Sequence, residues 1–292
     1  MPDSIPTMRS CDPWRPFAAF MAWHLALQST YMRWVMPGIA GIVVMAVMVA
    51  LAVLTSTRRG ARVGVAILLA YQLALAVARF PLTANSSYLT VLVLGVLLLL
   101  SSSSRTPRRV VLERGEELRR TVLFVLMVIY AMAGVQKLAQ GYWHDGEFIV
   151  LTLLADLSFF AESMRHLLEL GALLLGSAGP LVSTSGPWSL GATPLLVPDW
   201  LPAVAMGLSL SFVLAELLVP LAVLWPRTRA RALAPLVVVQ VGIGLSSWEI
   251  EFMSLALGCV ALSTRRPRRN LAIVLAGEVV HYLLRHRLGV EI

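Results

Sequence analysis

Thr121-Val-Leu-Phe-Val-Leu-Met-Val-Ile-Tyr130-Ala-Met-Ala-Gly-Val-Gln-Lys137-Leu-Ala139 is the stretch that fixes the class of this chain. From Val122 to Val135 it carries no charge, and its length is close to the ~20 residues that a helix needs to cross a bilayer. Its single charge, Lys137, is the only lysine of the chain, against 23 arginines. An ionisable group at membrane depth is costly, so it is read first as a functional site. Lysine is also the cation whose pKa burial can pull toward neutrality, which would make it usable as a base.

The rest of the chain agrees with that stretch. A mean hydropathy of +0.78, with 58% hydrophobic and 14% charged residues among 292, describes a polytopic all-α integral membrane protein. The polar start, with Pro2, Asp3, Pro6 and Arg9, does not read as a cleavable signal peptide. Cys11 and Cys259 lie far apart without metal-ligand spacing and imply neither a disulfide framework nor a zinc site. The net charge of +8 does not point to nucleic acid, because the arginines come in short clusters without interleaved aromatics. They read as positive-inside anchors.

Four clusters order the topology: Arg58, Arg59 and Arg62; Arg105, Arg108, Arg109, Arg114, Arg119 and Arg120; Arg227, Arg229 and Arg231; and Arg265, Arg266, Arg268 and Arg269. If all are cytoplasmic, the intervening apolar runs cross in pairs. The runs are 17–33, 36–55, 63–80, 87–101, 121–139, 201–225, 232–247, 252–264 and 270–284, which predicts eight or nine spanning or half-spanning helices in a single domain over 1–292. Several are shorter than a full crossing prefers. The last would place Arg285 and Arg287 outside if it crosses, so an interfacial or re-entrant course is the alternative. Residues 141–200 form a long external connection, with a re-entrant or interfacial hairpin over 148–160 and 166–182 and a Ser/Gly/Pro-rich loop over 183–198.

On helix 121–139, Tyr130, Ala133, Gly134 and Lys137 share one face by the i, i+3, i+4, i+7 rule. Ala133 and Gly134 are small enough for a neighbouring helix to come close, which turns Lys137 toward protein. By rise it lies ~24 Å from the inner end of a ~30 Å core. From there it could equally snorkel to the outer interface as an anchor. Glu216 stands mid-span in 201–225 and needs a cavity, a partner or Lys137; a Lys137–Glu216 pair is the expected contact. Such a pair would hold the lysine charged.

The segments Ala133-Gly-Val-Gln-Lys-Leu138 and Trp143-His-Asp-Gly146 together resemble the HTTM domain, the membrane domain shared by vitamin K-dependent γ-glutamyl carboxylases and many bacterial proteins. Asn85-Ser-Ser-Tyr88-Leu resembles the family's N-H-x-Y-L entry to a span. Ala215-Glu216-Leu-Leu-Val-Pro220 with Trp225-Pro-Arg-Thr-Arg229 resembles its E-L-x-x-P helix with a basic exit. Val239-Gln240-Val-Gly242, then Ile250-Glu-Phe252, stands where the family has H-x-G and a later phenylalanine. The resemblance is strongest over 80–265. It implies a catalytic Lys137 that deprotonates a reduced, vitamin K-like quinone, and a pocket drawn from Tyr130, Gly134, Trp143, Asp145, Gly146, Asn85, Tyr88, Glu216 and Gln240. It implies no metal. Ser86 and Gln240 replace family histidines, and neither titrates near neutral pH. The chain also ends soon after its last span, where carboxylases continue into a soluble domain. Classical γ-carboxylation by this chain alone is therefore not expected.

Other polar groups carry bland and sharp readings side by side. His144, Asp145 and Glu147 are solvated surface or an outer metal site. Glu278 and His281, an i, i+3 pair, could be half of a carboxylate–histidine metal site. His24 beside Trp23 reads as a hydrogen-bonded core or interface residue. Asn85 and Tyr88 either cap and anchor a helix or touch substrate. No Ser-His-Asp arrangement, P-loop or dinucleotide motif appears in a supporting context. The expected protein sits in the bacterial inner membrane with its basic loops cytoplasmic. Its expected role is to modify a small partner protein or secreted peptide with a lipid-soluble quinol, or, as the alternative, to serve its maturation or export without catalysis.

Overall fold

Each of the nine candidate spans read from the sequence holds a helix among the described residues. The structure is a computed structural model describing residues 12–35, 38–57, 59–78, 85–101, 108–139, 201–225, 227–247 and 250–287. Among them are nine helices and no strand: α1 (Trp14–Val35), α2 (Ile39–Ser56), α3 (Ala61–Ala78), α4 (Asn85–Leu99), α5 (Arg108–Ala139), α6 (Leu201–Leu224), α7 (Arg229–Ser247), α8 (Ile250–Leu262) and α9 (Pro267–Arg287). Four stretches are long and apolar enough to cross a membrane: Ile39–Ser56, Ala61–Ala78, Val110–Ala139 and Ala203–Leu224. Ser86–Leu99, Arg231–Gly242 and Glu251–Leu262 are apolar but shorter. Most of the large apolar side chains these helices leave exposed are aliphatic, as in Val43, Val47 and Val53 of α2 and Leu214, Leu218 and Leu221 of α6. That surface suits lipid rather than water.

One boundary differs from the sequence reading by more than a turn. Helix α5 begins at Arg108, not near residue 121. The basic cluster expected to be a loop is its first third, because acids are interleaved at helical spacing. Glu116 pairs with Arg119 at 3.7 Å and with Arg120 at 3.0 Å, at i+3 and i+4. These pairs stabilise an exposed helix that the arginines alone would strain by repulsion.

The chain divides into two compact units, one within residues 1–126 and 254–290, the other within 127–253. In the first, α1 packs against α2, α3, α4 and α9. Phe17, Phe20, Met21, Ala22, Leu25 and Ala26 are all buried and together spread over more than half the circumference, so α1 is enclosed on more than one side. The Trp14 indole donates to the Leu97 carbonyl at 2.6 Å and satisfies one of the open acceptors at the end of α4. Gly258 of α8 lies directly against the Phe20 ring, where a Cβ would collide with it. In the second unit, α6 and α7 pack together. Their connection is tight: Thr228 Oγ1 donates to the Ala222 carbonyl at 2.6 Å and Arg229 Nε to the Val223 carbonyl at 3.1 Å. Both bonds cap the last turn of α6.

Candidate functional site

Lys137 and Glu216 meet. The Lys137 ammonium donates to Glu216 Oε1 at 2.5 Å, from α5 to α6, within the second unit. The Glu216 side chain is 4% exposed and that of Lys137 20%, so the acid is enclosed while the lysine side chain is partly exposed. This is the ion pair the sequence led us to expect. It draws the lysine against protein, the opposite of a side chain reaching out as an anchor.

Three local features bring the two groups together. Gly134, one turn before Lys137, faces α6 so closely that a Cβ there would sit 2.9 Å from Leu217 Cγ and Cδ2 and 3.3 Å from Glu216 Cβ. Only glycine permits this approach, as the small-residue pair predicted. Second, Glu216 continues the buried stripe of α6 formed by Ala205, Ser209, Val213 and Val223. Third, Pro220 lies inside α6, four residues after the acid, and has no N–H to offer the Glu216 carbonyl. The helix therefore loosens at the residue that carries the charge.

Around this pair, Tyr130 is buried and its ring packs on Phe252, with centroids 5.5 Å apart and planes at 45°. The phenylalanine that the resemblance picked out thus touches the face of α5 that leads to Lys137. Gln240 extends the buried stripe of α7 begun by Ala232 and Leu236, and is 1% exposed. Among the described residues, neither its Oε1 nor its Nε2 has a hydrogen-bond partner. Each such atom costs about 1–3 kcal/mol when left unmet in the interior.

Of the other residues named from sequence, Asn85 is the first residue of α4, and Tyr88 on the same helix is exposed. Both belong to the first unit, whereas the Lys137–Glu216 pair belongs to the second. Trp143, Asp145 and Gly146 lie outside the described residues, as do His144, Glu147 and the segment 141–200.

The sequence did not reveal a second buried polar centre. In the first unit, His24 Nδ1 donates to the Glu278 carboxylate, at 2.8 Å from Oε1 and 3.0 Å from Oε2, and both side chains are inaccessible. The Gln28 amide donates to His24 Nε2 at 2.8 Å, and the imidazole stacks on Phe20 at 5.9 Å. The core reading of His24 agrees with this geometry. The Glu278 carboxylate, read from sequence beside His281, receives its hydrogen bond from His24. Among the described residues, no group of three or more His, Cys, Asp or Glu side chains could hold a metal ion. The one sequence signal was that Glu278 needs a partner on its apolar helix. Nothing in the sequence pointed 254 residues back to α1.

No protein-family model, no curated protein and no solved structure matches the chain.

Proposed function

We propose that this is an HTTM-like protein of the bacterial inner membrane, with its basic loops cytoplasmic, that uses a lipid-soluble quinol to modify a partner peptide or protein, with Lys137 as the base. The observation that carries this reading is the Lys137–Glu216 pair: the only lysine of the chain, held at 2.5 Å by an enclosed carboxylate on an apolar helix. The order of the motifs over 80–265 gives the pair its chemical context.

An ammonium cannot accept a proton, so the pair must first discharge. Glu216 Oε1 lies close enough to take a proton from Lys137 Nζ, which leaves a neutral amine beside a carboxylic acid. A low-dielectric site narrows the gap between the charged and discharged forms, because both ions lose hydration there. The amine lone pair can then accept a proton from an acidic hydroxyl brought within hydrogen-bonding reach of Nζ. A quinol, when bound, supplies that hydroxyl and two electrons. Gly134 holds the two helices near enough for Glu216 to keep its proton within reach of Nζ. Tyr130 and Phe252 offer an apolar wall on the same face of α5.

The test is reconstitution in lipid nanodiscs with 2-methyl-1,4-naphthohydroquinone, loaded without oxygen. Air is then admitted as oxidant, and quinone formation is followed by absorbance against protein-free nanodiscs. The wild type should exceed that background, and Lys137→Arg should fall back to it, since arginine keeps the charge but never becomes a neutral base. An arginine variant as fast as wild type removes Lys137 from the chemistry.

The same contact favours a second reading. A complete ion pair is also a way to fasten two helices, and the chain would then be a non-catalytic factor in maturation or export of a secreted peptide. Under that reading Lys137→Arg is silent in every assay, and no naphthohydroquinone is consumed above background.

A further inference from the structure

Gln240 presents two hydrogen-bonding atoms to the protein interior, and among the described residues neither is met. A buried carboxamide in that state points to a polar group that arrives from outside the chain. Its position along the helical hairpin is informative. Glu216 lies eight residues before the end of α6 at Leu224, and Gln240 lies eleven residues after the start of α7 at Arg229. In an antiparallel pair of packed helices, a difference of three residues is ~4.5 Å of rise. Gln240 thus stands about one helical turn from the level of Glu216, and so from that of the Lys137 amine.

The unmet pair of atoms also states what the incoming group must offer. A single hydroxyl can accept from Nε2–H and donate to Oε1 at the same time. A carbonyl oxygen can only accept, so it would leave Oε1 unmet. From this we infer that Gln240 is a binding residue for the ring hydroxyl of the quinol, and that through it the site selects the reduced over the oxidised form. The inference rests on the quinol reading of the Lys137 site and names the redox state which that site recognises. No electron or proton moves in this step: it is discrimination by hydrogen-bond polarity, and it would keep the spent quinone from competing for the site. Leaving one buried acceptor unmet corresponds to about a tenfold preference.

The probe is 2-methyl-1,4-naphthoquinone with its hydroquinone, in nanodiscs that carry the full chain. Two quantities are read without oxygen: retention of the probe over protein-free nanodiscs, and its midpoint potential in a redox titration. A tenfold preference for the reduced form of a two-electron couple raises the potential by about 30 mV. We expect that rise in the wild type and its loss in Gln240→Leu, with the probe still retained. Gln240→Met, a flexible apolar replacement of similar length, should behave in the same way and guards against misfolding of the leucine variant. Retention without any rise in the wild type overturns the role of Gln240 and leaves the quinol site standing. An undiminished rise in both variants has the same meaning. If the wild type retains neither form of the probe, the quinol reading falls and this inference falls with it.

Discussion

Glu216 is nearly enclosed while the Lys137 side chain is partly exposed, so the two halves of the pair are not equivalent. Removing Lys137 leaves a carboxylate in the interior without its cation; removing Glu216 leaves an ammonium that can turn partly outward. Lys137→Met should therefore destabilise the chain by about 3 kcal/mol, and Glu216→Leu by less. Combining the two should recover most of the loss, because it leaves no charge to bury. Chemical unfolding in mixed micelles checks all three, and simple additivity of the single losses would show that the contact is not energetically coupled. His24 and Glu278 make a second case. His24→Phe should stack on Phe20 yet cost about 3 kcal/mol, with Glu278→Leu in the same chain restoring much of it. The first pair was legible in the sequence because each charge stands alone in an apolar run and had no nearer partner. The second was not, since His281 lay one turn from Glu278 while His24 lay at the far end of the chain.

At the scale of the element, the close approach of α5 and α6 depends on one missing side chain. Gly134→Val should drive Leu217 and Glu216 away from α5 and cost about 1–3 kcal/mol. Its neighbour Val135 is 58% exposed, so Val135→Leu should change stability little. Thermal unfolding of the two variants in the same detergent gives the comparison, and equal effects would remove the reason for a glycine at this crossing. The sequence showed the existence and type of all nine helices, because hydropathy along an apolar run is a strong signal. It misplaced the start of α5, where the cue is not hydropathy but the spacing of Glu113, Glu116 and Glu117 among arginines. Tyr130 on Phe252 follows from packing between helices that no local pattern encodes.

Along the described helices, the four arginine clusters fall at every second connection or helix start: between α2 and α3, from beyond the end of α4 into α5, between α6 and α7, and between α8 and α9. Among the described residues, four stretches reach full spanning length and apolarity, and the alternation suits the proposal that the clusters share one side of the membrane. Single cysteines placed at 59, 228 and 265 should react with an impermeant maleimide from one side, and cysteines at 82 and 141 from the other. A split among the first three would remove crossings from the count. The charge pattern was legible in the sequence because arginines cluster at the helix connections, whereas short apolar helices such as Ser86–Leu99 and Glu251–Leu262 carry too little length to mark a full span by hydropathy alone.

Whether Lys137 meets a quinol is decided by a cryo-electron microscopy map of the chain in nanodiscs loaded with 2-methyl-1,4-naphthohydroquinone under anaerobic conditions. The account predicts ring density within hydrogen-bonding reach of Lys137 Nζ, with a ring hydroxyl on the Gln240 carboxamide. A closed, dry Lys137–Glu216 contact with no ligand beside it would contradict that claim and make the lysine a fastening between two helices.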